Sequence, residues 1–206
     1  MIKIYGFANT RSFRITWMAE ELGVNYDFVK VDFMKGENKS AEYLAVHPGG
    51  KIPAIEDNGL VLTESGAMIN YLGDHYSSNT VVPAPGTRER ALYDQWCFFA
   101  MTELEQPLWN IGKHKFVFPV ERRIPAMLEV GAWEYQTALA LLSDGLGDND
   151  YILGDDFTGA DILLAHTLGW GLAFKQPLQQ QNLKDYFARC SSRPAYIKAR
   201  DVEKDA

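Results

Sequence analysis

The sequence predicts an α/β domain followed by an all-α domain, and three observations support this. Strand-like and helix-like segments alternate over residues 1–76. A segment rich in proline and turn-forming residues follows at 77–86, as is typical of a domain linker. From residue 87 onward, apolar residues recur with the period of a helix. We therefore expect one domain at 1–76, a linker at 77–86 and a second domain at 87–206.

The elements of the first domain follow from apolar spacing and from turn residues. In chain order, the sequence predicts a strand at 2–5, a helix at 13–22, a strand at 26–31, a helix at 41–46, a hairpin around Pro53 and Leu60, and a helix at 65–76. Ile15 and Met18 lie on one face of the first helix, and Gly23 suits its C-terminal end. The run Asp57-Asn58-Gly59 tolerates the positive φ that a tight hairpin needs.

The second domain is predicted to be a bundle of helices. The segment 87–106 has a broad apolar face, and Pro107 is expected to end or kink this helix. A second long helix is predicted at 120–142, followed by a loop rich in Gly and Asp at 143–150. These long helical patterns indicate an all-helical domain.

Residues 157–162 carry the sequence signature of a helix N-terminus. Thr158 is the expected N-cap, and Asp161, three residues later, is its reciprocal partner in a capping box. Phe157 and Ile162 stand where a hydrophobic staple forms. The signature therefore predicts a helix that begins after Thr158.

Composition and charge exclude several classes of function. The 206 residues carry a net charge of -7 with few clustered basic residues, so we expect no nucleic-acid partner. No apolar stretch approaches the roughly 20 residues of a membrane span, and we expect a cytoplasmic protein with no membrane partner. Cys97 and Cys190 form no CxxC pair, and the histidines show no ligand spacing. We therefore expect two buried, reduced thiols and no metal.

Residues 51–65 have the features of a site that binds a peptide. Pro53 begins a strand, and a cis bond before it would leave the backbone of Ile52 free to pair with an extended ligand. Glu64 and Ser65 stand where the next strand gives way to a helix, so a carboxylate, a hydroxyl and free N–H groups meet there. Such a set suits the amino-acid end of a peptide. The alternative is that Pro53 only begins an edge strand and Ser65 only caps a helix.

In order and spacing, these features resemble those of the glutathione S-transferase superfamily. The resemblance rests on Lys51-Ile52-Pro53, on Glu64-Ser65 and on the opening strand at 2–5. It extends to the second domain through the capping box at 158–161. The element order β-α-β-α-β-β-α of the first domain likewise resembles the thioredoxin fold.

The resemblance implies a thioredoxin-like domain that binds glutathione as co-substrate. Ile52 would pair through its backbone with the cysteinyl unit of glutathione, and Lys51 and Pro53 would complete that part of the site. Glu64 and Ser65 would hold the γ-glutamyl end. The resemblance also implies a homodimer.

The loop between the first strand and the first helix is expected to activate the glutathione thiol. Lowering the pKa of a free thiol from near 8.5 by about two units requires roughly 2.7 kcal/mol, which one hydrogen bond to the anion and a helix N-terminus together supply. Aligned with serine-type members of the superfamily, Asn9 stands at the position of the activating hydroxyl and Thr10 follows it; either side chain can donate. Ser12 is a third candidate, for which helix capping is the simpler role.

The second domain is expected to bind a small electrophilic apolar substrate. Trp109 and Phe116, which follow the Pro107 break, are the candidate substrate-binding residues. The leading interpretation is a glutathione transferase. One alternative is a cysteine-independent, glutathione-dependent disulfide or peroxide reductase, since the loop at 8–12 contains no cysteine. The other is a non-catalytic glutathione-binding or scaffold module.

Overall fold

The computed structural model describes residues 1–76 and 81–206, so the predicted linker at 77–86 lies partly outside the described residues. Backbone contacts divide the chain into two compact units. The first unit consists of Met1–Ala84 together with Ser191–Ala206, and the second unit is Pro85–Cys190. The first unit thus combines two segments that are far apart in the sequence.

The first unit is built on a mixed four-stranded sheet. Its strands are β1 (Ile2–Gly6), β2 (Tyr26–Lys30), β3 (Ala54–Asp57) and β4 (Leu60–Thr63). In space they follow the order β2-β1-β3-β4, with β1 parallel to β2, β1 antiparallel to β3, and β3 antiparallel to β4. Ile4 and Ile55 are opposite each other in the ladder and fully buried. The predicted strands and helices of the first domain are thus confirmed as an α/β arrangement, and its sheet is mixed.

Three helices connect and cover these strands. They are α1 (Ser12–Leu22), α2 (Ala41–Val46) and α3 (Ser65–Tyr76). Ile15 and Met18 of α1 are fully buried, in part because α3 packs on this helix. Gly23 ends α1 with a φ of 64°, the left-handed conformation that glycine adopts without a Cβ clash. The predicted helix end at Gly23 is confirmed.

The second unit contains five α-helices among its described residues. They are α4 (Arg88–Phe99), α5 (Glu105–Gly112), α6 (Ala126–Leu146), α7 (Gly159–Ala173) and α8 (Gln181–Ser191), the last of which extends one residue beyond the unit. Two π-helical turns, Ala100–Leu104 and Lys113–Val117, follow α4 and α5 directly. An all-helical C-terminal region is therefore confirmed.

Pro107 does not end the helix that precedes it. The backbone stays helical from Arg88 to Val117, and Pro107 lies in the first turn of α5. Proline lacks the N–H that an α-helix uses, and its ring clashes with the carbonyl four residues earlier, here that of Glu103. Glu103 belongs to the π-helical turn Ala100–Leu104, whose wider backbone accommodates the proline.

The second long helix also differs from its prediction. α6 begins at Ala126, directly after Pro125, and it continues to Leu146, so the predicted loop is wrong for residues 143–146. Gly145 lies inside the helix, and the Trp96 ring packs so closely against it that a Cβ at this position would lie 2.2 Å from the ring. Tertiary packing here outweighs the low helix propensity of glycine.

The capping box predicted at the start of α7 is confirmed. Asp161 is fully buried, and its Oδ2 accepts hydrogen bonds from the backbone N–H of Thr158 at 2.8 Å and from the Thr158 hydroxyl at 2.9 Å. Its Oδ1 accepts from the N–H of Ile152 at 2.9 Å and from the hydroxyl of Tyr186 at 2.8 Å. Asp161 therefore joins α7, the preceding loop and α8, which is more than the local cap that the sequence predicts.

The last helix, α9 (Pro194–Asp205), belongs to the first unit and packs on α1. Arg193, just before it, donates from Nε and Nη2 to the Glu21 carboxylate at 2.6 and 2.8 Å. The Tyr196 ring packs edge-on against that of Trp17, with centroids 4.9 Å apart. The sequence analysis predicted a second domain at 87–206, which includes this helix. The apolar period of a helix shows which of its faces is buried, but it does not show which element packs on that face.

Candidate active site

The segment before β3 has the backbone geometry that the sequence suggests for a peptide-binding edge. The peptide bond between Ile52 and Pro53 is cis, and Pro53 is buried. The hydroxyl of Tyr43 on α2 donates to the carbonyl oxygen of Lys51 at 2.6 Å, and this hydrogen bond holds the backbone of the segment. The Lys51 side chain is exposed. β3 begins at Ala54, so Ile52 precedes the strand pairing and is half-buried.

Glu64 and Ser65 form the junction between β4 and α3. Glu64 is exposed with a φ of 67°, a left-handed conformation that is uncommon for a residue with a side chain. Its carbonyl accepts the N–H of Met68 at 3.0 Å, which makes it the residue before the first helical turn. Ser65 is the first residue of α3 and is buried. The junction therefore presents an exposed carboxylate beside a hydroxyl at a helix N-terminus.

Arg14, which the sequence analysis did not single out, lies behind this junction. It is fully buried in α1, and its Nη1 donates to the Oγ of Ser65 at 3.0 Å. Because Ser65 accepts this bond, its own hydroxyl proton can point to a ligand. The positive charge also favours an anion at this place. No sequence signal marks Arg14, since it lies beside the apolar positions of an amphipathic helix.

α1 brings the two candidate subsites together. Tyr5 of β1 pairs with Ala54 of β3, so the loop that leaves β1 runs alongside the Ile52–Pro53 segment. The same loop leads into α1, whose Arg14 contacts Ser65. The candidate thiol-activating loop thus leads into α1, and Arg14 in the first turn of α1 contacts the candidate γ-glutamyl site.

The three candidate activating residues have different environments. Asn9 is exposed and has a φ of 62°. Thr10 donates from Oγ1 to the carbonyl of Phe7 at 2.7 Å, and Thr10 Oγ1 accepts the N–H of Ser12 at 3.2 Å. The Thr10 hydroxyl therefore serves the loop itself, much as a helix cap does, whereas the Asn9 side chain faces solvent.

Ser12 is fully buried and does not act as the N-cap of α1, which is Arg11. Its hydroxyl lies 2.9 Å from Oε1 of Glu203 on α9 and accepts the N–H of Phe7 at 3.2 Å. Glu203 is buried, and burial raises the pKa of its carboxyl to about 7, against the opposing effect of the hydrogen bonds that it accepts from Ser12 and Thr16. No local sequence signal marks Glu203, because a helix pattern does not indicate a partner 191 residues away.

The two candidate substrate-binding aromatics lie on consecutive helical segments of the second unit. Trp109 on α5 is half-buried. Phe116, in the π-helical turn that follows, is 54% exposed, and its ring packs edge-on against that of Phe174 with centroids 5.8 Å apart. Trp170 extends this cluster through an edge contact with Phe174 at 5.6 Å. An aromatic surface is therefore present at Phe116.

Neither cysteine has the environment of a nucleophile. Cys97 and Cys190 are buried free thiols, and burial raises the pKa of the Cys97 thiol to about 12. Among residues 1–76 and 81–206, no three His, Cys, Asp or Glu side chains gather closely enough to hold a metal ion. In the same part of the chain, no helix is both long enough and apolar enough to cross a membrane.

Comparison with known proteins gives the family of this chain. Residues 1–74 match the family described as glutathione S-transferase, N-terminal domain, and residues 131–194 match glutathione S-transferase, C-terminal domain. The chain is also 30% identical to the disulfide-bond oxidoreductase YfcG of Escherichia coli strain K12, over 95% of this chain and 92% of that protein. The chain belongs to the glutathione S-transferase superfamily.

Other members of the superfamily match over nearly the whole chain. Glutathione S-transferase 3 of Zea mays is 28% identical over 96% of this chain and 92% of that protein. The crystal structure of the glutathione transferase URE2P6 from Phanerochaete chrysosporium, in complex with oxidized glutathione, has a TM-score of 0.87 and 26% identity, covering 99% of this chain and 96% of that one. The resemblance drawn from the sequence and the predicted two-part fold class are therefore confirmed.

Proposed function

We propose that this protein is a glutathione transferase, which holds the glutathione thiol as a thiolate and directs it at a small electrophilic apolar molecule. The observation that carries the proposal is the position of α1, which bears the loop at 9–12 and contacts Ser65 through Arg14. Binding and activation of glutathione would then share one buried helix. Trp109 and Phe116 would bind the electrophile. In keeping with the resemblance, we also propose a cytoplasmic homodimer.

The γ-glutamyl end of glutathione would be held by complementary charges. Its ammonium would pair with the exposed carboxylate of Glu64. Its carboxylate would accept from the Ser65 hydroxyl and from the N-terminal N–H groups of α3, with the buried Arg14 charge behind them. The backbone of Ile52 would pair with the cysteinyl unit, which places the sulfur toward the loop after β1.

Asn9 is the proposed donor to the thiolate. The Thr10 hydroxyl is 2.7 Å from the Phe7 carbonyl, and the Ser12 hydroxyl is buried against Glu203, so both protons have acceptors within the protein. The exposed amide of Asn9 supplies two N–H groups for an external acceptor. A hydrogen bond to a charged group contributes about 1.5 to 3 kcal/mol, which is the size that thiol ionisation at neutral pH requires.

Replacing Glu64 by alanine is expected to weaken glutathione binding about 10- to 150-fold, since a charge-assisted bond of about 1.5 to 3 kcal/mol is lost. Calorimetric titration measures this. The Glu129→Ala variant is the matched control, because it removes an exposed carboxylate from the first turn of α6 in the second unit. Equal affinities for wild type and Glu64→Ala would contradict the proposed γ-glutamyl site.

Removing the Asn9 amide is expected to raise the pKa of bound glutathione by about one to two units, the equivalent of one hydrogen bond to the anion. The ultraviolet absorbance of the thiolate, titrated against pH, measures this. Asn9→Gly is the informative variant, because glycine keeps the φ of 62° without strain whereas alanine does not. Thr10→Ala and Ser12→Ala are the comparison variants. A shift in either of them with none in Asn9→Gly would reassign the donor.

A second candidate function is glutathione-dependent reduction of disulfides or peroxides without a protein cysteine. It is favoured by the similarity to the oxidoreductase YfcG and by the burial of both cysteines. A panel of aryl halides, epoxides, peroxides and mixed disulfides separates the two activities. Turnover of the electrophiles supports the transferase, and turnover of disulfides alone supports the reductase. Retention on immobilised glutathione without any turnover would leave a binding module.

A further inference from the structure

The carboxyl group of Glu203, on the last helix, contacts the candidate thiol-activating loop at Ser12. Glu203 on α9 is 5% exposed, and its Oε1 accepts hydrogen bonds from the hydroxyls of Ser12 and Thr16, each at 2.9 Å. Both hydroxyl residues are fully buried on α1. Glu203 is thus largely shielded from solvent and contacts the N-terminal part of α1, the helix that the loop enters.

The Ser12 hydroxyl links this carboxyl to the loop. It lies 3.0 Å from the carbonyl of Phe7 and 3.0 Å from Thr10 Oγ1, and it accepts the Phe7 N–H. A hydroxyl has one proton, so Ser12 can donate to Glu203 or to Phe7, but not to both. When Ser12 donates to Glu203, the Phe7 carbonyl relies on Thr10, whose hydroxyl lies 2.7 Å away. The two hydroxyls and the Phe7 carbonyl therefore form one hydrogen-bonded group within the loop that contains Asn9.

The charge of Glu203 determines how strongly this arrangement is held. An ionised carboxylate accepts a hydroxyl proton about twice as strongly as a neutral acceptor does. The surroundings of Glu203 compensate its charge only weakly. Arg200 on α9 favours the ionised carboxylate, whereas the pKa of the Tyr26 phenol on β2, raised mainly by burial, is raised further by the Glu203 charge. From α1, Glu203 is faced by the hydroxyls of Ser12 and Thr16. Because burial raises its pKa to about 7, the carboxyl changes charge within the physiological range.

We propose that Glu203 is a positioning residue for the thiol-activating loop, and that its charge state is linked through Ser12 to the ionisation of bound glutathione. This inference rests on the proposed function. Accepting the Ser12 hydroxyl holds the loop in the conformation that presents Asn9. At the same time, a carboxylate behind the loop opposes a second negative charge on the sulfur in front of it.

Two substitutions separate positioning from charge. Glu203→Gln keeps an oxygen that accepts from Ser12 and Thr16 but has no charge, and Glu203→Ala removes the acceptor as well. Asp201→Asn is the matched control, since it removes an exposed carboxylate from the same helix two residues away. The variants Glu203→Gln, Glu203→Ala and Asp201→Asn are each compared with wild type as folded protein. If Glu203→Ala folds poorly, Glu203→Gln still tests the proposal.

The first measurement needs no glutathione. In the free protein, the amide NMR signals of Phe7 and Ser12 are followed from pH 5 to pH 9. We expect both signals to titrate in wild type and in Asp201→Asn, and to lose that titration in Glu203→Gln. Signals that are flat in wild type, or that titrate unchanged in Glu203→Gln, would overturn the link between Glu203 and the loop.

The second measurement uses reduced glutathione and its thiolate absorbance. We expect Glu203→Gln to lower the pKa of the bound thiol by about half a unit, because one nearby negative charge is removed. Glu203→Ala should instead lower kcat/KM several-fold across the pH range, with recovery in the glutamine variant. Titrations of Glu203→Gln that match wild type and Asp201→Asn would overturn the inference.

The two measurements also distinguish this inference from the proposed function. A wild-type protein that binds glutathione without forming a thiolate would overturn the proposed function, and the link to thiol ionisation with it. A wild-type thiolate that does not respond to Glu203→Gln would leave the proposed function standing and would overturn only the role of Glu203.

Discussion

Replacing Asp161 by alanine is expected to lower the free energy of unfolding by about 4 kcal/mol. The buried carboxylate accepts four hydrogen bonds, from the N–H and hydroxyl of Thr158, the N–H of Ile152 and the hydroxyl of Tyr186. Alanine leaves these donors buried without an acceptor, and each such donor costs about 1 to 3 kcal/mol before relaxation. Urea unfolding followed by circular dichroism measures the loss.

Thr158→Ala is the internal comparison for this result. It removes one hydroxyl and leaves the Asp161 carboxylate with three of its donors, so the expected loss is only about 0.5 to 2 kcal/mol, as for an ordinary cap. Similar losses in the two variants would mean that Asp161 acts only as a cap. Glutathione affinity per folded molecule should not change in either variant, since both sites belong to the second unit.

Glu203→Gln is expected to stabilise the protein relative to wild type by about 3 kcal/mol at pH 8 and to have little effect at pH 5. The folded carboxyl has a pKa of about 7, whereas the ordinary value for glutamic acid is 4.5. The native state therefore binds the proton more tightly than the unfolded state. This stabilisation is fully present below pH 4.5 and is lost as the pH rises through about 7.

Unfolding free energies at pH 5, 6, 7 and 8 test this expectation. The difference between wild type and Glu203→Gln cancels the contributions of all other titrating groups, including the four histidines. Asp201→Asn, on the exposed face of α9, should follow wild type at every pH. A constant difference between wild type and Glu203→Gln over this range would show that the carboxyl titrates near its ordinary pKa.

Local sequence signals predicted those parts of the fold that depend on neighbouring residues. The end of α1 at Gly23 and the hairpin at 57–59 require a positive φ, which few residue types adopt. The start of α7 requires the side-chain oxygens of Thr158 and Asp161 as caps. The cis bond before Pro53 belongs to the same class. Each of these features depends on a few consecutive residues, so it can be predicted from the sequence.

Features that depend on distant partners were not predictable in this way. Gly145 lies in a helix where the Trp96 ring leaves no space for a side chain, and the π-helical turn before Pro107 forms where the local sequence favoured a break. Arg14 and Glu203 are ordinary charged residues in their helices until the elements around them are assembled. Their contacts with Ser65 and Ser12 span 51 and 191 residues of the chain, beyond the reach of any periodicity.

The composition of the first unit has a consequence for how the protein matures. During synthesis, the segment Met1–Ala84 leaves the ribosome well before α9, because the whole of Pro85–Cys190 is translated between them. Until α9 arrives, the face of α1 that bears Trp17 lacks Tyr196, and Ser12 and Thr16 lack the Glu203 carboxyl. We therefore expect the N-terminal segment to expose apolar surface while the second unit is translated. Docking of α9 on α1 therefore completes the first unit only after the second unit has been translated.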